Sequence, residues 1–83
     1  MTAEQKIRDF ILNNYLFTND PAALRNDDSF LKRGIIDSTG ILEVIHFLGE
    51  AFGVTVSNEE MVPENLDSVN NLIAFVQRKA ARN

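Results

Sequence analysis

The stretch Asp37-Ser38-Thr39-Gly40-Ile41-Leu42-Glu43-Val44-Ile45-His46-Phe47-Leu48-Gly49-Glu50-Ala51-Phe52-Gly53 reads as one amphipathic helix with a start signal and a stop signal. At about 100° per residue, Ile41, Val44, Ile45, Leu48, Ala51 and Phe52 fall within one arc, which is the expected core face. The Asp37 carboxylate can accept free amide hydrogens of the first turn, and Gly53 supplies the C-terminal stop. On the same wheel Thr39, Leu42, Glu43, His46, Gly49 and Glu50 point outward, with Ser38 at the helix start beside Leu42. A leucine exposed among acids at a helix mouth suggests docking, although single exposed apolar side chains are also common on any surface.

Three further helical segments flank this one. The first opens with Thr2 and Gln5 in capping-box spacing, places Ala3, Ile7, Phe10 and Ile11 on one stripe, and is expected to end near Asn14. A short element follows Ser57, with Glu60 in the capping-box position, and Pro63 is expected to cut it. The last helix starts at Asp67 or Ser68 and should bury Val69, Leu72, Ile73, Val76 and Ala80. Val54 and Val56 flank Thr55 with no second run to pair with, so they read as an extended connection rather than a strand. Between the first two helices, Thr18 to Ile36 make a connection of 19 residues, long enough to need anchors. Leu24, Phe30, Leu31, Ile35 and Ile36 can plug into the core, and Asp20-Pro21 can start one short helical turn. The expected fold is therefore all-α, a four-helix up-down bundle with a long first loop and a short third helix.

A chain of 83 residues fits one domain, expected over 1–83, and buries only roughly 60 to 65% of its unfolded surface, which leaves little room for a deep cleft. No apolar run reaches the roughly 18 to 20 residues that cross a bilayer, and the start MTAEQKIRDF is unlike a signal peptide. A cytoplasmic protein that does not insert in membranes is expected. The net charge is -4, and the 44 residues from Gly34 to Gln77 hold seven acids but no lysine or arginine. Such a segment repels phosphate backbones, so nucleic acid is excluded as a partner, while a basic protein surface would be attracted. A solvated acidic face without a partner is the plainer alternative.

Catalysis has few routes in this chain. It has no cysteine and a single histidine, which removes thiolate chemistry and cysteine-ligated zinc. A Ser38–His46 pairing fails on geometry, because eight helical residues separate the two by about 12 Å along the axis. Glu43 and His46 have the Glu-x-x-His spacing of carboxylate-bridged metal sites, but a second copy and inward-facing carboxylates are lacking, so no metal is expected. A non-catalytic protein follows.

The run Gly34-Ile35-Ile36-Asp37-Ser38, followed by an acidic amphipathic helix that ends in Glu50-Ala51-Phe52-Gly53-Val54, resembles the modification site and second helix of the acyl carrier proteins. The resemblance spans nearly the whole chain. It implies that Ser38, after Asp37, is esterified with 4'-phosphopantetheine, whose thiol holds a cargo as a thioester. Thr39 and Gly40 stand where fatty-acid carriers usually have leucine and an acid. With Phe52-Gly53-Val54-x-Val56, they bring the pattern closer to the D-alanyl carrier proteins, which implies an aminoacyl or other small-acyl cargo.

The residues support this independently. A phosphodiester is an anion, and a helix start offers unpaired amide hydrogens and the positive end of the macrodipole, so Ser38 is suited to carry one. Gly40 leaves that first turn unobstructed. The expected cofactor is covalent 4'-phosphopantetheine on Ser38, with Asp37 beside it. The expected partners are a phosphopantetheinyl transferase, an acyl- or aminoacyl-loading ligase and a downstream transferase, and the chain is expected to be a monomer. They would dock on Thr39, Leu42, Glu43, His46, Glu50 and Met61, with Leu42 and Met61 as the apolar centre. Phe10, Phe30, Phe47, Phe52 and Phe75 are expected to fill the interior and keep a small cargo outside, although Phe47 and Phe75 lie at the edges of their stripes. The alternatives are a fatty-acyl carrier of lipid synthesis and an unmodified acidic adaptor.

Overall fold

Local capping decides where the chain begins to coil. In the computed structural model, which describes residues 2–81, the Thr2 hydroxyl accepts from the Gln5 N–H at 3.2 Å and Gln5 Oε1 accepts from the Thr2 N–H at 3.1 Å. Of the basic residues near the C-terminus, Arg78, Lys79 and Arg82, the last lies outside the described residues. Helix α1 runs Ala3–Ile11. It does not finish at Asn14 as expected, but widens into a π-helical turn over Leu12–Leu16. No glycine or proline stops it there; the coil closes when Phe17 takes a left-handed conformation and returns its N–H to the Leu12 carbonyl.

Helix α2 covers Gly40–Phe52. Its α-helical residues begin three positions after Asp37, yet Asp37 is the side chain that caps it. Asp37 Oδ1 accepts from the Gly40 N–H at 2.7 Å, and the Asp37 carbonyl accepts from the Ile41 N–H at 3.2 Å. At the far end Gly53 has φ +67, which a side chain would strain, and the Gly53 and Val54 N–H groups bond back to the Gly49 and Leu48 carbonyls at 3.0 and 3.3 Å.

The third element is two pieces rather than one. Ser57 and Glu60 close the expected capping box around a 3-10 turn, Asn58–Glu60. Pro63 does not cut the element: it opens helix α3, Pro63–Leu66, at the first helical position, where its fixed φ suits the turn and its missing N–H leaves no bond unmade. Helix α4 is Val69–Ala81, and Ser68 Oγ caps it by accepting from the Asn71 N–H at 3.1 Å. Among the described residues there is no strand, and Val54 to Val56 is an extended connection as expected. The architecture is an all-helical bundle with a short third helix.

The core joins Ile7, Ile11, Leu12, Val44, Leu48, Leu66, Val69, Leu72, Phe75 and Val76, with Leu24, Phe30 and Ile36 supplied by the long loop. Each such side chain contributes about 1.5–3 kcal/mol when fully buried, which explains how a 3-10 turn at Pro21–Ala23 and otherwise irregular backbone stay ordered. Polar ties help. Asp67 is central to them: its carbonyl accepts from the Phe30 N–H at 2.8 Å, Oδ1 accepts from the Leu31 N–H at 3.0 Å, and Oδ2 accepts from the Ser29 hydroxyl.

Some expected core positions differ. Leu31 is 42% exposed, because holding its backbone on Asp67 leaves its side chain at the surface. Ala80 is exposed on the last turn of α4, where nothing covers it. Ile35 on the loop, and Ile41, Ile45, Ala51 and Phe52 on the α2 arc, are half-buried. Of the five aromatics expected inside, Phe30 and Phe75 are fully buried. Phe10, Phe47 and Phe52 form a half-buried outer cluster, with Phe10 and Phe47 stacked at 4.2 Å.

Candidate functional site

Ser38 lies in the turn between its capping neighbour Asp37 and the first residue of α2, and it is exposed. Beside it opens a cleft of about 230 Å³ lined by Leu31, Ser38, Ile41, Met61, Val62, Pro63, Leu66 and Asp67. Apart from Ser38 and Asp67 these are all apolar. Leu31, Met61 and Val62 are 42%, 38% and 36% exposed, so the mouth presents a greasy rim to water. The fit for a phosphate-linked arm is good: a free-standing hydroxyl at the positive end of a 13-residue helix, next to an apolar cleft.

The far wall of this cleft, Met61 to Pro63, is held from α4 by polar side chains. Lys79 Nζ donates to both Glu60 carboxylate oxygens at 3.0 and 3.2 Å, Arg78 to Asn65 Oδ1 at 2.7 Å, and Asn71 Nδ2 to the Pro63 carbonyl at 3.2 Å. The Ser57 N–H and the Lys79 ammonium hold the Glu60 carboxyl down at about 2.

On the other side of the α2 start, Tyr15, Gly34, Ile35, Ile36, Asp37, Thr39, Gly40 and Glu43 surround a second, more polar hollow. The Tyr15 hydroxyl donates to the Gly40 carbonyl at 3.3 Å. Burial pushes the Tyr15 phenol above its ordinary value, and the neighbouring Glu43 and Asp37 carboxylates push the same way. Gly40 is buried, and a Cβ there would sit 2.7 Å from Ile36 Cγ2. The glycine lets Ile36 and Tyr15 pack closely against the start of α2.

The outward face of α2 is as the helical wheel arranges it. Thr39, Leu42, Glu43, His46, Gly49 and Glu50 are all exposed, Leu42 by 57%. His46 Nε2 lies 2.8 Å from Glu50 Oε1, so the two form a pair on the surface. Ser38 and Met61 share the cleft, Asp37, Thr39 and Glu43 share the polar hollow, and Leu42 stands on the ridge beside Ile41. Among the described residues no group of His, Asp and Glu is arranged to hold a metal. Tyr15, Leu31 and Asp67 belong to the neighbourhood of Ser38 without having been singled out from the sequence for it. Their signal is three-dimensional, since Tyr15 meets Gly40 across 25 positions and Ser29 meets Asp67 across 38.

The fold is that of a small all-helical bundle, and the chain belongs to the acyl carrier protein family. Over 77 residues, 93% of this chain and 94% of the relative, it is 32% identical to the D-alanyl carrier protein of Streptococcus uberis. It is also 27% identical over 78 residues, 94% of this chain and 88% of the relative, to a Serratia sp. protein named probable acyl carrier protein PigG. No family model matches the chain.

Proposed function

We propose that residues 1–83 form a single carrier domain that holds an acyl or aminoacyl group as a thioester on 4'-phosphopantetheine attached to Ser38, presents it to successive enzymes and catalyses nothing itself. The observation that carries this reading is the placement of Ser38, exposed at the capped start of α2 beside an apolar cleft. When bound, the group supplies the thiol that a chain without cysteine lacks. Ser38 gives the point of attachment. Asp37 holds the first turn through Gly40 and presents its remaining acceptor to the modifying enzyme.

The partners are a phosphopantetheinyl transferase, a loading ligase and a downstream transferase, which dock in turn on the acidic ridge of Glu43 and Glu50, with Thr39 and His46 beside it and Leu42 and Met61 as apolar contacts. Charge on that ridge speeds encounter and the apolar side chains hold the complex. The protein works as a monomer in the cytoplasm; no described helix is long and apolar enough to cross a membrane.

The cargo is a small aminoacyl or short acyl group. The likeness to a D-alanyl carrier protein supports this, as do Thr39-Gly40 after the serine and an interior already filled by Phe30 and Phe75. A fatty chain gains about 0.8 kcal/mol per methylene by entering a core, whereas an aminoacyl group gains nothing there. The experiment is intact mass after incubation with coenzyme A and a phosphopantetheinyl transferase. Wild type should gain the phosphopantetheine mass and Ser38→Ala should not. A modified Ser38→Ala protein refutes the assignment. The modified wild type, loaded with alanyl or octanoyl, should show no shift of the Ile45, Leu48, Ile73 and Val76 amides with alanyl and no thermal stabilisation with octanoyl; large shifts and a higher Tm with octanoyl favour a fatty-acyl carrier.

A further inference from the structure

Phe17 carries two costs at one position. It is 81% exposed, and its backbone sits at φ 53, ψ 43, the left-handed region in which Cβ crowds the following carbonyl and glycine or asparagine is the usual occupant. The way α1 ends imposes this conformation. The N–H groups of Phe17 and Thr18 both return to the Leu12 carbonyl to close the π-helical turn. Glycine would close the same turn without crowding, and a polar side chain would not present an aromatic ring to water. The core makes no use of the ring. Strain that the fold does not need points to function.

Its position in the bundle narrows the function. Tyr15, two residues earlier, touches the Gly40 carbonyl and lines the hollow that also contains Asp37, Thr39 and Glu43. Two residues of extended chain span at most about 7 Å, so Phe17 stands at the end of the bundle that carries Ser38. Asp37 and Glu43 in that hollow are negative. Of the basic residues just before it, Lys32 and Arg33, the second is paired with Asp28 at 3.1 Å, and no lysine or arginine occurs from Gly34 to Gln77.

We propose that Phe17 is an anchor that enters an apolar, basic-rimmed pocket on the enzyme that attaches the prosthetic group to Ser38. The inference rests on the Ser38 assignment. In that reaction the Ser38 oxygen attacks the phosphorus next to the pantetheine of coenzyme A. The diphosphate P–O bond breaks, adenosine 3',5'-diphosphate leaves and the serine proton passes to a base of the enzyme. The reacting phosphorus must come within bonding distance of Ser38 itself, so this enzyme has to cover the start of α2 and the loop beside it. Enzymes that act on the cargo can share the α2 ridge, but their chemistry is at the thiol rather than at the serine, so they need not also cover this loop.

The test follows phosphopantetheinylation of the full chain by intact mass, at varied carrier concentration, for wild type, Phe17→Gly and Phe17→Asn, alongside thermal unfolding. Both variants should unfold at the same temperature as wild type or higher, because the left-handed turn no longer holds a phenylalanine. Both should raise the transferase KM for the carrier about tenfold or more, as loss of a buried aromatic anchor does. Opposite movement of stability and recognition is what a merely structural residue would not give. An unchanged KM overturns the anchor and leaves Ser38 modification standing. A clear drop in Tm in both variants makes the ring a packing residue and overturns it too. If wild type gains no mass on Ser38, the carrier reading itself falls and the anchor with it.

Discussion

Gly40→Ala tests how tightly the start of α2 is packed. The new Cβ would lie 2.7 Å from Ile36 Cγ2, 3.4 Å from Asp37 Oδ1 and 3.5 Å from Tyr15 Cε1. Two effects oppose each other. Alanine favours a helix over glycine by up to about 1 kcal/mol. An extra methyl in a filled site costs about 1–3 kcal/mol, because neighbours leave their rotamers or the backbone shifts. The outcome depends on whether Ile36 can yield. It is 2% exposed, its β-branch stiffens χ1, and its N–H is tied to the Phe30 carbonyl at 3.2 Å. Crowding therefore wins, by about 1 kcal/mol net, which for a domain of this size lowers Tm by about 4–8 °C. Thermal unfolding by circular dichroism measures it. Ile36→Leu removes the offending Cγ2 branch, so the double variant should be more stable than the two single changes sum to, by at least about 0.5 kcal/mol. A Gly40→Ala protein that melts at or above wild type, or an additive cycle, refutes the packing argument.

Two more expectations concern charge. Reversal of the ridge, Glu43→Lys with Glu50→Lys, should slow modification of Ser38 at low ionic strength and matter less at high salt, because exposed charges are screened beyond about 8 Å at physiological salt; equal rates at low salt would remove the ridge from the docking account. Glu60 has a folded-state pKa of about 2, below its ordinary value of 4.5, so the stability it adds is complete above the higher value and is lost as pH falls toward the lower one. Urea unfolding at a series of pH values should show a shallower loss between about pH 4.5 and 2 for Glu60→Gln, and an unchanged acid limb would refute the role given to the Ser57 and Lys79 contacts.

What was legible in the sequence is what short range encodes. Thr2 with Gln5 and Ser57 with Glu60 are reciprocal bonds across three positions, and Gly53 is a local backbone requirement, so residue identity and spacing sufficed. The exposed ridge of α2 followed from helical period alone. Pro63 was ambiguous, since the same fixed φ ends one helix or opens another and only the neighbouring backbone decides. Leu31 and Ala80 are apolar in type but uncovered in place, and nothing local distinguishes them from Ile36 or Val76. The cleft beside Ser38 depends on Asp67 holding the loop from across the bundle. The closing of α1 at Phe17 had no sequence signal, because the residue there is one that normally avoids that conformation.

The wall of the cleft has a thermodynamic character of its own. From residue 57 to residue 65 no side chain is buried; Leu66 is the first apolar plug, and Lys79, Arg78 and Asn71 supply the grip. Segments with few buried apolar contacts and water-accessible hydrogen bonds open at a fraction of the global unfolding free energy. Amide hydrogens of this stretch will therefore exchange with solvent long before those around Leu48 and Leu72. Space next to Ser38 can widen by releasing a few polar bonds while the three long helices stay assembled, and the ease of that release is a setting that substitutions at Glu60 can tune without touching the core; Lys79 also lies over the core ring of Phe75, 5.9 Å from its centroid.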